Sequence, residues 1–179
     1  MAAAIVIAFR LVIPLSILRW PLAGGIACLL IDAFDVVLVD ALANALGQPL
    51  EFGPFYAQLD KWLDTYYLAF EAVVARRWPE TALRRATLLL FAWRLIGVLL
   101  FEATAYRPLL LLFPNLFENV FLYTLIVRRV APQLVPRNVR QTLLVLVVLL
   151  IPKLVQEWVL HWEEMHPWQW LRQTLFGQS

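Results

Sequence analysis

The sequence predicts an all-α protein: a polytopic transmembrane helical bundle of five to six spans, read as a single integral membrane domain over 1–179. Three observations carry that prediction. Of 179 residues, 62% are hydrophobic and only 16% charged, against ~45–50% apolar and ~25% charged in ordinary soluble domains. The apolar residues gather into long segments, too continuous for the alternation of a membrane β-barrel strand. The breaks between segments are short and hold Gly, Pro and Arg, so successive helices become antiparallel neighbours.

The first segment, residues 4–18, is short for a hydrocarbon core ~30 Å thick, which takes ~20 helical residues. It carries Arg10 and Pro14 and reads as a short span, a re-entrant helix or an interfacial helix. No basic run precedes it and Arg10 interrupts it, so it reads as structure and not as a signal peptide. The second segment covers 21–46, and its Gly24–Gly25 pair suits close helix packing, as does Gly97 in the fourth. The third covers 55–78, the fourth 83–105, the fifth 108–127 and the sixth 140–162. Pro114 and Pro152 fall inside the last two. Each removes one backbone hydrogen bond and is expected to kink its helix, freeing the carbonyls of Leu110 and Val148. The Trp-rich tail, 166–176, reads as a short interfacial helix.

Arginine sets the orientation. Arg76, Arg77, Arg84 and Arg85 follow the third segment, Arg128, Arg129, Arg137 and Arg140 follow the fifth, and the 48–54 loop has no basic residue. This is a positive-inside pattern. It predicts a multi-pass protein of the plasma or inner membrane, with the 48–54 loop outside the cytoplasm. Trp20, Trp78, Trp162, Trp168 and Trp170 sit near segment ends, as an aromatic belt does.

The informative charges are those inside the segments, where each costs about 2.5–3.5 kcal/mol at mid-bilayer and marks function by default. Asp32, Asp35 and Asp40 lie in the second segment, and Asp60, Asp64 and Glu71 in the third. Arg94 and Glu102 lie in the fourth, Asn115, Glu118 and Asn119 in the fifth, and Lys153, Gln156 and Glu157 in the sixth. At 100° per residue, Asp60, Asp64 and Glu71 fall within a ~40° arc with Tyr67 beside them. Asn115 and Glu118 share one face, as do Lys153 and Glu157. Lipid would not tolerate these stripes, so they are expected to meet in the bundle interior, with Arg94 paired to Asp35 or Glu118. Nine interior carboxylates face two interior bases, Arg94 and Lys153. The excess acids must be protonated, solvated or neutralised by a cation.

Several functions are excluded by composition. The net charge is +2, which gives no basis for a nucleic-acid partner. One cysteine, Cys28, allows no intrachain disulfide. Two histidines leave no room for a haem or a His-rich metal site. Ser16 and Ser179 are the only serines and neither sits by a histidine. Glu163-x-x-His166 matches half of a di-metal carboxylate motif and reads as an interfacial cap. No cofactor is named by any motif.

Asp32-x-x-Asp35 followed by Asp60-x-x-x-Asp64 places paired acids on two adjacent helices, where they can share divalent cations. The pattern faintly resembles that of CDP-alcohol phosphatidyltransferases, six-helix membrane enzymes of similar length. Val36, Val39 and Asp40 stand where that family has Gly, Ala and Arg, and Tyr56 stands where it has a later Gly. The spacing between the Asp pairs is longer. The family's site also opens to the cytoplasm, whereas the positive-inside pattern points these acids the other way. The resemblance implies Asp32, Asp35, Asp60 and Asp64 as metal ligands of a lipid head-group transferase.

The sequence therefore leads to a small membrane protein handling protons or cations, a transporter or channel, ahead of an enzyme. Its pathway or buried charge network would comprise Asp32, Asp35, Asp60, Asp64, Arg94, Asn115, Glu118, Lys153 and Glu157. The alternatives are a non-catalytic subunit of a membrane complex and the metal-dependent transferase. Expected partners are the lipid bilayer and other membrane subunits or a second copy.

Overall fold

The structure, a computed structural model, describes residues 2–47, 56–106 and 108–161, without the side chains of 36, 56–58, 110 and 156–161. Among the described residues every regular element is helical. Helix α1 (Ala2–Val12) passes directly into a 3-10 stretch, Ile13–Leu18. Pro14 lies in the first turn of that stretch, where its missing N–H is least felt. Then come α2 (Pro21–Ala45), α3 (Tyr56–Ala75), α4 (Thr81–Thr104), α5 (Pro108–Leu112), α6 (Leu116–Val130), a short 3-10 turn at Pro132–Leu134, and α7 (Val139–His161). The 48–54 loop and the 166–176 tail lie outside the described residues.

By length and composition, one described helix, α4, is long and apolar enough to cross a membrane, or two if a bent α2 is taken as one span. Helix α3 and the first segment fall short. Helix α3 carries Asp60, Lys61, Asp64 and Glu71. The α1 segment through Leu18 is apolar but short. The fifth apolar segment is two helices. Pro114 has no N–H to donate, so α5 ends at Leu112 and α6 starts at Leu116. At this break the Phe113 carbonyl accepts from Arg94 Nη1 at 2.9 Å. Helix α7 by contrast runs on through Pro152.

Helix α1 and the 3-10 stretch pack on α2 and α3, α3 packs on α4, and α6 sits among α2, α3, α4 and α7. The apolar core lies between α3, α4 and α6, around Leu68, Leu83, Phe117, Val120 and Phe121. Trp78 stacks on Phe121 with ring centroids 5.9 Å apart. Two glycines allow the closest approaches. A Cβ on Gly24 would stand 2.6 Å from the Ile17 backbone nitrogen, and one on Gly97 would overlap the Phe113 side chain. The two Arg-rich connections meet at one end of the bundle. Arg128 pairs with Glu80 and lies 4.8 Å over the Trp78 ring, while Arg84 Nη1 donates to the Trp78 carbonyl at 2.9 Å.

Beside this apolar core the interior also holds charge. Arg10, Asp35, Asp64, Glu71, Arg94, Glu118 and Lys153 are buried. Leu89, Leu144, Val147, Val148 and Ile151 face outward. A large apolar exterior around buried charge is what a bilayer or a partner surface would cover.

Candidate functional site

Arg10 sits near the end of α1, with its guanidinium inside the bundle. Helical spacing explains what it meets. Asp32 and Asp35, three apart, share one face of α2, and Asp60 and Asp64, four apart, share one face of α3. These faces point at each other and at α1. Arg10 Nη1 donates to Asp35 Oδ2 at 2.9 Å and to Asp60 Oδ1 at 2.6 Å. Arg10 Nη2 donates to Asp32 Oδ1 at 2.6 Å and to Asp64 Oδ1 at 2.5 Å. The planar fork of guanidinium donors suits this, because one side chain can present several N–H groups in fixed directions. Lys61 Nζ closes the group from α3, donating to Asp60 Oδ2 at 2.8 Å and Asp64 Oδ2 at 3.2 Å. Tyr66 fastens α3 to α1 by donating to the Leu11 carbonyl at 3.2 Å. Four carboxylates thus face two cations, an excess of two negative charges.

Within this group, Asp32, Asp60 and Asp64 each offer a carboxylate oxygen, and the three lie within 4.8 Å of one another. The donor set fits a hard divalent cation, which takes oxygen ligands. Asp35 is not part of this triangle. The same oxygens now receive Arg10 and Lys61, so a cation would have to compete with the guanidinium.

The α3 stripe continues inward from Asp64 to Tyr67 and Glu71. Tyr67 Oη donates to Glu118 Oε1 at 2.9 Å, and Asn115 Nδ2 donates to Glu118 Oε2 at 3.0 Å. Asn115 precedes α6 and Glu118 lies in its first turn, so the break at Pro114 is what aims both into the bundle. Lys153, Asp64 and Arg94 act electrostatically on Glu118. Glu71 is fully buried, and neither of its oxygens has a hydrogen-bond partner among the described residues. Gly25 leaves room for it, since a Cβ there would stand 3.1 Å from Glu71 Oε1. Between the Arg10 group and the Glu118 group lies a cavity of about 10 Å³ lined by Arg10, Cys28 and Tyr67 among others, near the size of one water.

The sequence-based site is thus brought together in two groups joined along α3. Asp32, Asp35, Asp60 and Asp64 surround Arg10, and Asn115, Glu118 and Lys153 gather beyond Tyr67. Two expectations need correction. Among the described residues Arg94 forms an ion pair with neither Asp35 nor Glu118: Asp35 is held by Arg10, and Arg94 donates to the Phe113 carbonyl, its Nε without a partner there. The interior bases are also not only Arg94 and Lys153, because Arg10 and Lys61 join them. Arg10 was visible as a charge inside an apolar segment. Its role was not, because its partners lie 22 to 54 residues away. The Glu157 side chain, and Glu163 and His166, lie outside the described residues. Asp40 stands apart, with Asn44 Nδ2 3.4 Å from its Oδ1. No protein family, curated protein or solved structure matches this chain.

Proposed function

We propose that this chain is a small polytopic membrane protein that moves protons or a cation through its charged interior. The bundle buries acids and bases beside its apolar core and also exposes many Leu, Val and Ile side chains, which favours a bilayer as its surroundings. On this reading α2, α3, α4, the α5–α6 pair and α7 cross the membrane, and the polar face of α3 is hidden against its neighbours. The observation that carries the function is the acid-rich group around Arg10. It holds more carboxylates than cations at a site helix packing alone would not require.

The path runs along α3. A proton or cation would be held at Asp32, Asp60 and Asp64, where Arg10 and Lys61 are the resident counter-charges. Tyr67 and the small cavity beside it connect that group to Glu118 and Glu71. Arg10 can release one carboxylate while keeping others, so charge can exchange there without emptying the site. Reconstitution of the full chain in liposomes tests this. Proton or cation flux is expected from the native chain and is expected to be lost in Asp64→Asn and Glu118→Gln. Absence of flux, or flux untouched by both substitutions, defeats the proposal.

A second reading has one observation in its favour: the convergence of Asp32, Asp60 and Asp64 favours a divalent-metal site of the kind the transferase resemblance implies. There the metal would bind a diphosphate between the Asp pairs, and Arg10 would have to move from the oxygens it now holds. Magnesium-dependent transfer of a lipid head group by the purified chain, lost in Asp60→Asn, would favour this reading over transport.

A further inference from the structure

The end of the bundle opposite the start of α3 holds a feature that the charge network does not use. An open groove of about 750 Å³ lies between the start of α4 and the start of α7, within the ~300–1,000 Å³ range of ligand sites. Arg85 and Arg137 line its mouth, and both are exposed. Among the described residues neither guanidinium has an acidic partner. The one acid lining the groove, Glu80, is engaged by Arg128.

Backbone polarity adds to the two arginines. Helix α4 starts at Thr81 with no side-chain cap on its first amides and no acid in its first turn. Helix α7 also starts without an acid, but its first turn is capped, Asn138 Oδ1 accepting from the Gln141 amide at 2.9 Å. The uncapped helix start at this mouth is therefore that of α4, behind Glu80 at its N-cap. Further along, the lining becomes apolar. Leu89 lies four residues beyond Arg85 on the same face of α4, and Leu143 follows on α7. They are 70% and 56% exposed. The groove therefore passes from two unpaired guanidiniums to bare leucines along the bundle's outer surface.

We propose that this groove binds an anionic phospholipid, its phosphate held by Arg85 and Arg137 and its acyl chains lying along Leu89 and Leu143. Guanidinium forks match phosphate oxygens in pairs. Basic pockets between helices at the cytoplasmic end are where anionic head groups bind. Free phosphate has the same charge chemistry but would leave the leucine floor bare. The identity of the occupant rests on the membrane reading above, whereas the groove itself does not depend on transport.

The test is native mass spectrometry of the full chain released from detergent micelles containing equal phosphatidylglycerol and phosphatidylcholine. This reads lipid retention without requiring flux, so it can fail independently of the transport proposal. Phosphatidylglycerol is expected to be retained about thirtyfold over phosphatidylcholine, from two arginines at the surface. In Arg85→Ala/Arg137→Ala the preference is expected to vanish. In Arg76→Ala/Arg129→Ala, exposed arginines that do not line the groove, it is expected to persist. All four side chains are exposed, so folding is not at stake. Equal retention of the two lipids, or loss in both double variants, overturns the site. Inorganic phosphate binding that needs Arg85 and Arg137, with lipid retention that does not, overturns the lipid as occupant.

Discussion

Replacing Arg10 by alanine removes four hydrogen bonds of 2.5 to 2.9 Å at once. Charge-assisted bonds of this kind contribute about 1.5–3 kcal/mol each, so simple addition gives about 6–12 kcal/mol. That overstates the loss. Lys61 still reaches Asp60 and Asp64, and the carboxylates can take up protons or water once the guanidinium is gone. Removing one partner of a buried ion pair costs about 3–5 kcal/mol, and that is the loss expected for Arg10→Ala. The excess of negative charge in the group rises from two to three. The variant is therefore expected to bind a divalent cation where the native chain binds it poorly. At a hundredfold over its Kd the ion returns about 2.7 kcal/mol. Unfolding of the purified full chain in detergent, followed by tryptophan fluorescence with and without magnesium or calcium, measures both effects. A loss below about 1 kcal/mol would refute Arg10 as the centre of the network. A variant no more responsive to the cation than the native chain would refute the idea that the guanidinium occupies a cation's place.

Three further outcomes follow from the same geometry. Glu71→Leu is expected to raise stability by about 1–3 kcal/mol, because it removes a buried carboxylate whose oxygens lack partners; thermal unfolding checks this, and the same variant is expected to lower flux. Tyr67→Phe loses the bond to Glu118 and is expected to cost about 0.6 kcal/mol, the average for interhelical hydrogen bonds in membranes, and no more than about 1.7 kcal/mol, read in the same unfolding assay. Gly97→Ala forces a methyl group into Phe113 and is expected to cost about 1–3 kcal/mol, whereas Gly47→Ala meets no overlap, and its cost is expected only from the left-handed backbone at φ 60°. A comparable unfolding midpoint for native and Gly97→Ala chains would contradict the close approach of α4 to the Phe113 turn.

Much of the helical layout was legible in the sequence, because apolar segments, Pro and Gly act over a few residues. Segment 21–46 corresponds to α2, 83–105 to α4 and 140–162 to α7, each within two residues at either end. The polar face of α3 was also legible, since Asp60, Asp64, Tyr67 and Glu71 recur at helical spacing. Pro114 was legible as a disturbance but not as a full break. The chain leaves the helix between Leu112 and Leu116, where Arg94 of α4 meets the Phe113 carbonyl, and that contact lies 19 residues away in the chain.

What the sequence determined by itself was local: helices, their apolar exteriors, and one polar stripe on each of several faces. What only the tertiary structure decided was which stripes meet. Arg10 looked like an interruption of a short segment, while Arg94 and Lys153 looked like the bases of the interior. Packing of α1 against both α2 and α3 reversed that order and put a single guanidinium among four carboxylates. Helical periodicity fixes the direction of a side chain about its own axis, within a few residues. Which base answers which acid depends on contacts between residues 22 to 54 apart in the chain, and no local pattern encodes that separation.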